Sequence, residues 1–281
     1  MAEHRFTDAR TILSRTSGFL AQAGFTHSLS PARNCTFGCS YCYVPTMRIQ
    51  GGLKPEDWRR WGQFTTFKQN AAPLLSRELR SGQIIYCSPL VDPYQIGESL
   101  MPGILAELIQ SPPAVFAIQT RSPLILRDLP WLLRLKDQTT LRVSFSVTSN
   151  RTDVLRHYEP HCAPYPERLR TIRELNDHGI EAYATLAPLL PSNVESLVAD
   201  ALQASPHALI ADPLHIRATK QQGATTRPVA LEIARRRGEA EWFEEHFQAT
   251  LVAELRRLTK LAGRPFAIGP EGFSWLARRT S

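Results

Sequence analysis

Short apolar segments recur along the chain, with helical stretches between them. Residues 25–30, 83–88, 114–119, 141–147, 179–186 and 208–211 are enriched in β-branched or aromatic residues and have strand length. The clearest helical pattern, Pro166 to His178, places Leu169, Ile172 and Leu175 on one face; proline opens it and Gly179 closes it. A second helix is expected from Ser192, whose side chain would cap it while Glu195 completes a capping box ahead of Leu197, Val198 and Leu202. Residues Gly238 to Ala262 read as one long amphipathic helix, with Trp242, Phe243, Phe247, Leu251, Leu255 and Leu258 on or near its buried stripe. Strands alternating with helices predict an α/β fold with parallel strands and right-handed crossovers. Roughly six βα units suit a partial (β/α)6 barrel better than a complete barrel of eight. The expected division is an N-terminal extension (1–24), a core partial barrel (25–215) and a C-terminal helical extension (216–281). No fixed-period repeat or low-complexity tract competes with this reading.

Composition changes the picture little. With 281 residues, 43% of them apolar and 21% charged, the chain can bury a sizeable core, and its usage is that of a soluble globular protein. No apolar run approaches the roughly 20 residues that span a bilayer. The opening Met1-Ala2-Glu3-His4-Arg5 lacks the basic start and apolar stretch of a secretory signal, so a cytoplasmic location is the default expectation and no membrane partner is expected. A formal charge of +7 admits a nucleic acid or another anionic partner. The run Arg235-Arg236-Arg237 reads either as a solvated face or as a polyanion contact.

The cysteines carry the chemistry. Cys35, Cys39 and Cys42 have the spacing C-x3-C-x2-C after the first predicted strand, while Cys87 and Cys162 stand alone. An odd count with three clustered thiols argues against a secreted disulfide framework. Gly38 lets the loop fold tightly, and three thiolates can hold an iron–sulfur cube with one coordination position left open. A structural zinc site or a fully ligated cluster normally takes four protein ligands.

This spacing, with the aromatic Tyr41 directly before the third cysteine, resembles the signature of the radical S-adenosylmethionine (SAM) superfamily. The resemblance implies a [4Fe–4S] cluster on Cys35, Cys39 and Cys42. S-adenosyl-L-methionine would chelate the open iron through its amino and carboxylate groups, and one-electron reduction would yield a 5′-deoxyadenosyl radical. It implies an external one-electron reductant of flavodoxin or ferredoxin type. Four further patches are similar to the spore photolyase-like branch: residues 25–31, Asp92-Pro93-Tyr94-Gln95, residues 121–128, and Glu159-Pro160 ahead of Arg168-Leu169. Two positions depart from the pattern. Asn34 stands where relatives commonly have glycine, and Val91 where they commonly have threonine.

In a barrel of parallel strands, functional groups gather where the βα loops open, at the C-terminal strand ends. By resemblance, Tyr41 would lie beside the adenine, with plain packing as its alternative. Ser88 would hold the methionine amino or carboxylate group, or act as a loop cap. Asp92 would accept from the amino group or form a turn before proline. Arg121 would grip the carboxylate through two parallel hydrogen bonds. Ser146 would face the same rim, with Ser144 on the same strand face. Glu159 would contact the ribose hydroxyls, with Arg168 paired to it or solvated. Spore photolyases use a cysteine outside the cluster as a hydrogen donor to the product radical, and Cys87 is the candidate here; as a lone thiol in an apolar strand it is otherwise a small buried hydrophobe. The substrate stays unidentified, with a nucleic-acid lesion among the options. The alternative is a cluster- or zinc-containing nucleic-acid-binding protein without turnover.

Overall fold

The structure is a computed structural model, described here for residues 2–46, 59–95, 97, 99–214 and 227–279. All six expected strands form. They are β3 (His27–Leu29), β6 (Ile84–Cys87), β7 (Val115–Thr120), β8 (Thr140–Ser146), β9 (Glu181–Leu189) and β10 (Leu209–Pro213). They lie side by side and parallel in that order. Two more strands extend the same sheet. β2 (Leu13–Arg15) adds antiparallel to β3, and β11 (Phe266–Ile268) adds parallel to β10. The C-terminal segment, expected as purely helical, therefore supplies a seventh parallel strand. Three residues are too few to show a period of two, which is why it escaped the pattern. A separate small sheet joins β1 (Glu3–Thr7), β5 (Phe64–Lys68) and β4 (Ala32–Arg33), in the order β1-β5-β4.

Period-2 alternation gives the large sheet two different faces. One carries Ile85, Phe116, Ile118, Val143, Phe145, Ala184 and Leu186, all buried in the main core. Helices Leu129–Lys136, Tyr165–Asp177 and Val194–Ala204 lie against its strands, the second matching the expected Pro166–His178 to within one residue. The opposite face holds a smaller apolar cluster: Phe25, Tyr86, Ala117, Tyr183 and Ile210, packed with Phe273, Leu276 and Ala277 of the terminal helix Gly269–Ala277. The fit of that helix is close. A Cβ at Gly272 would stand 2.8 Å from the carbonyl oxygen of Ala267 and 3.0 Å from Ile210 Cγ2. Arg142, on the same face, donates through Nε to Glu181 Oε2 at 2.7 Å and also bonds the carbonyl of Arg278, pinning the end of the terminal helix.

Two helix expectations need correction. The cap of Val194–Ala204 is Asn193, whose Oδ1 accepts from Ser196 N at 3.2 Å; the Ser192 hydroxyl instead turns back to the carbonyl of Leu190 at 2.7 Å. The stretch from Gly238 to Ala262 is not one helix. A short 3-10 turn, Ala240–Phe243, ends at an extended Glu244, and the α-helix runs Glu245–Leu261. Adjacent Trp242 and Phe243 are both buried, and the break aims both inward while Gln248 Nε2 satisfies the carbonyl of Trp242 at 3.0 Å. No helix among the described residues is long and apolar enough to cross a membrane.

Candidate radical SAM site

The cysteine loop is braced from three directions. Asn34 adopts a left-handed conformation, φ +63°, and its Oδ1 accepts from Cys35 N at 2.9 Å. Asparagine tolerates that region better than other side chains, so the departure from glycine keeps the loop geometry. Gln95 Oε1 accepts from both the amide and the hydroxyl of Thr36, at 2.7 and 3.0 Å. Its Nε2 donates to Thr65 Oγ1 at 3.2 Å, and that hydroxyl bonds the carbonyl of Asn34 at 3.0 Å. Gly38, at φ +61°, lies against Gly62 so closely that a Cβ on Gly62 would fall 2.8 Å from Gly38 Cα. Val91 is buried apolar packing.

The three thiols sit in unlike surroundings. Burial pushes Cys35 up, against backbone N–H groups of Asp92 and Phe37 that face its sulfur. Burial and the neighbouring Cys39 push Cys42 up to about 12. Cys39 is instead drawn down, first by the Cys162 thiol at 3.8 Å and then, against its burial, by the Arg121 guanidinium at 3.6 Å.

Arg121 opens onto a buried charge network. Its Nη1 meets Glu159 Oε1 at 2.6 Å and also bonds the Tyr41 hydroxyl, which itself donates to Glu159. Thr148 donates to the same carboxylate oxygen at 2.8 Å, and Arg168 Nη2 faces the other at 2.5 Å. Burial alone would raise the Glu159 carboxyl; Arg168 and Arg121, with the Tyr41 hydroxyl, overcome it and hold it at about 2. One cation, one carboxylate and a phenol thus lie beside Cys39, with a second cation, Arg168, on the other side of the carboxylate.

The other expected residues fall into separate groups. Asp92 links two loops: Oδ1 accepts from Tyr94 N at 2.9 Å and Thr120 Oγ1 at 2.8 Å, and Oδ2 from Arg121 N at 2.9 Å. Both its oxygens are thereby engaged within the protein, and one of them positions the Arg121 backbone. The Ser88 hydroxyl donates to Ser30 at 3.0 Å. Ser146 belongs to a polar layer around Gln119, whose Nε2 donates to it at 2.7 Å and whose Oε1 accepts from Ser144 at 3.2 Å; Ser144 also bonds Thr185 at 2.8 Å. Cys87 is fully buried in the main core with Ile85, on the strand face opposite Tyr86, and is not drawn into the Cys39 group.

Sequence alone gives no role to Gln95 or Gln119 and marks Cys162 only as a lone thiol. Gln95 closes the Asp92-Pro93-Tyr94-Gln95 run, and Cys162 follows Glu159-Pro160 by two residues, so position beside a quoted patch was the available signal. Gln119 ends a predicted strand, and only the cross-strand pairing Gln119 to Ser144 reveals it.

These residues fit an iron–sulfur cluster. Two buried thiols and the half-buried Cys42 supply the ligands, and backbone N–H groups aimed at sulfur and a guanidinium beside one of them are donors that stabilise anionic sulfur. Among the described residues, no three His, Cys, Asp or Glu side chains converge on a point suited to one metal ion. A cubane takes each thiolate at a different iron, so its donors stand apart.

Comparison with known proteins agrees. The model of the radical SAM superfamily matches residues 29–203. An uncharacterised protein of Methanocaldococcus jannaschii is 26% identical over 164 residues, covering 57% of this chain and 59% of that protein. The uncharacterised protein ORF301 of Acidianus two-tailed virus is 28% identical over 174 residues, covering 59% and 56%. The match thus spans somewhat over half the length of these relatives. Among solved structures, a cysteine-to-serine mutant of spore photoproduct lyase superposes with a TM-score of 0.64 at 15% identity, over 94% of this chain and 81% of that one. A double mutant of the same lyase, with AdoMet and a dinucleoside spore photoproduct bound, gives 0.62 at 13% identity over the same shares. At such identity the likeness shows the fold: a mostly parallel α/β sheet of the partial-barrel kind. From the cysteine loop, the sheet that carries it and the match over more than half its length, this chain belongs to the radical SAM superfamily.

Proposed function

We propose that this enzyme reductively cleaves S-adenosyl-L-methionine at a [4Fe–4S] cluster held by Cys35, Cys39 and Cys42, and turns the resulting radical on a nucleic acid. The observation that carries the reading is the group of three loop thiols, Cys35 and Cys39 buried and Cys42 half-buried, with Arg121 poised between Cys39 and Glu159. When bound, the cluster and S-adenosylmethionine would supply one-electron cleavage of the sulfonium and a 5′-deoxyadenosyl radical, the electron coming from an external flavodoxin- or ferredoxin-type donor. The protein's own residues hold and shield. Arg121 offers a guanidinium to a carboxylate at the loop rim, and Asp92 fixes the backbone from which it projects. Glu159, itself paired with Arg168, anchors that cation, and Tyr41 closes the network over Cys39. Ser88 and Ser146 are buried hydroxyls at the ends of β6 and β8 that would exchange their bonds to Ser30 and Gln119 for a ligand's polar groups.

Support for a nucleic-acid substrate comes from the +7 charge and from the dinucleoside bound to the structurally similar lyase. The run Arg235-Arg236-Arg237 contributes less than its charge suggests, because Arg237 is paired with Glu239 at 2.8 Å and with Asp153 at 2.5 Å.

Anaerobic reconstitution tests the reading. We expect about four iron and four sulfide per chain, and 5′-deoxyadenosine on addition of dithionite and S-adenosylmethionine. Replacing Cys35, Cys39 or Cys42 with alanine should abolish both. Stoichiometric zinc with no iron–sulfur absorption would overturn it in favour of a binding protein without turnover.

A further inference from the structure

A cavity lies beside the cysteine loop, where the N-terminal segment joins the small sheet. It encloses about 420 Å³, within the range of small-ligand pockets. Its walls bring together Arg10, from the loop after β1, Arg33 on β4 and Lys68 at the end of β5. The strand pairing causes this convergence: Lys68 lies opposite Thr7 across β1, and its amide donates to Pro31 O at 3.0 Å, next to β4.

Charge in the pocket is unbalanced. Asp8 is the acidic residue of the wall, and its carboxylate accepts from Gln69 Nε2 at 3.0 Å. Glu78, the other nearby carboxylate, is occupied by the amides of Ile12 and Leu13, at 3.2 and 2.8 Å through Oε2. Among the described residues, none of the three cations is in an ion pair with a carboxylate. Burial, and then the neighbouring Arg33, lower Lys68 to about 8, with Glu78 opposing only in part. Three cations lining one pocket together with the hydroxyl residues Thr11 and Ser14 make a receptor for an oxyanion.

Its location ties it to the reaction site. Ser30 and Leu90 line the pocket, Ser30 accepts the Ser88 hydroxyl, and Leu90 lies two residues beyond Ser88 on the loop that follows β6. An anion held there leaves whatever is attached to it within reach of the C-terminal strand ends.

We propose that Arg10, Arg33 and Lys68 bind a backbone phosphodiester of a single-stranded nucleic acid, anchoring the nucleotide next to the one on which the radical acts. This rests on the nucleic-acid reading above. A phosphodiester has no titration near pH 8, so its binding restores the proton that Lys68 partly loses in the empty pocket. Binding therefore takes up protons near pH 8 and weakens as pH rises above it.

The test uses reconstituted protein and a fluorescent single-stranded DNA of about twelve nucleotides at about 50 mM salt, where phosphate contacts dominate. The double variant Arg33→Gln/Lys68→Gln should lose at least about tenfold in affinity and about two units of salt slope. Titration calorimetry near pH 8 in buffers of different ionisation heat should show proton uptake by wild type and none by Lys68→Gln. The control Arg170→Gln/Arg173→Gln removes the same charge from an exposed helix face and should bind like wild type. Iron content equal to wild type in each variant establishes that the loop is folded. If DNA binds and both pairs of substitutions act equally, the pocket assignment falls while the nucleic-acid reading stands. If wild type binds no DNA, both fall together.

Discussion

Glu159 sets the charge balance beside Cys39, and its carboxylate is the shared partner of Arg121 and Arg168. A carboxyl held at about 2, against an ordinary 4.5, contributes stability that is present above about pH 4.5 and is lost as pH falls through about 2. Glu159→Gln removes the charge while keeping the shape, leaving two buried cations unpaired, at a cost of about 3–5 kcal/mol near neutrality. The gap in urea midpoint between wild type and this variant should narrow steadily below pH 4.5, as the wild-type carboxyl becomes neutral too. A gap that stays constant down to pH 2 would show that the carboxylate charge is not what holds the network. At this scale the sequence was a partial guide. The pairing of Glu159 with Arg168 was an open alternative because the residues are nine apart and a helix start brings them together. The link from Arg121 to Cys39 spans 82 positions and appears only when two separate loops meet.

The cysteine loop depends on an element that bears no chemistry: the turn before β5. Gly62, at φ +92°, permits the contact with Gly38, and a methyl there has no flexible neighbour to displace. Gly62→Ala should therefore lower iron retention after reconstitution, while Gly82→Ala, with open space around it, should not. Equal iron in both proteins would remove the turn from the site. The long, periodic elements were legible: all six internal strands and the helix at Pro166 were recoverable because their apolar residues repeat at strand or helix spacing. What stayed hidden were β2 and β11, three residues each, and the whole small sheet of β1, β4 and β5, pieces that take their strand character from the edges they join. The same holds for the kink at Glu244, imposed by two adjacent aromatic residues that must both be buried.

On the scale of the whole molecule, one sheet face is divided along the strands. The terminal helix and its apolar partners fill one level, and the layer of Gln119, Ser144, Ser146 and Thr185 lies further toward the strand C-terminal ends. Gly272→Ala should push this helix off β11 and lower thermal stability by about 1–3 kcal/mol, from overpacking against backbone. Calorimetry of the variant checks it, and an unchanged melting temperature would show that the helix rests there loosely.

That filled level has a consequence for traffic. With the terminal helix occupying one level of the face, the described residues close the polar layer on that side, and under the proposed function a ligand would come to it from the strand C-terminal ends. A passage with one door imposes a sequence: whatever sits deepest arrives first and departs last, and a large guest at the threshold detains the small one behind it.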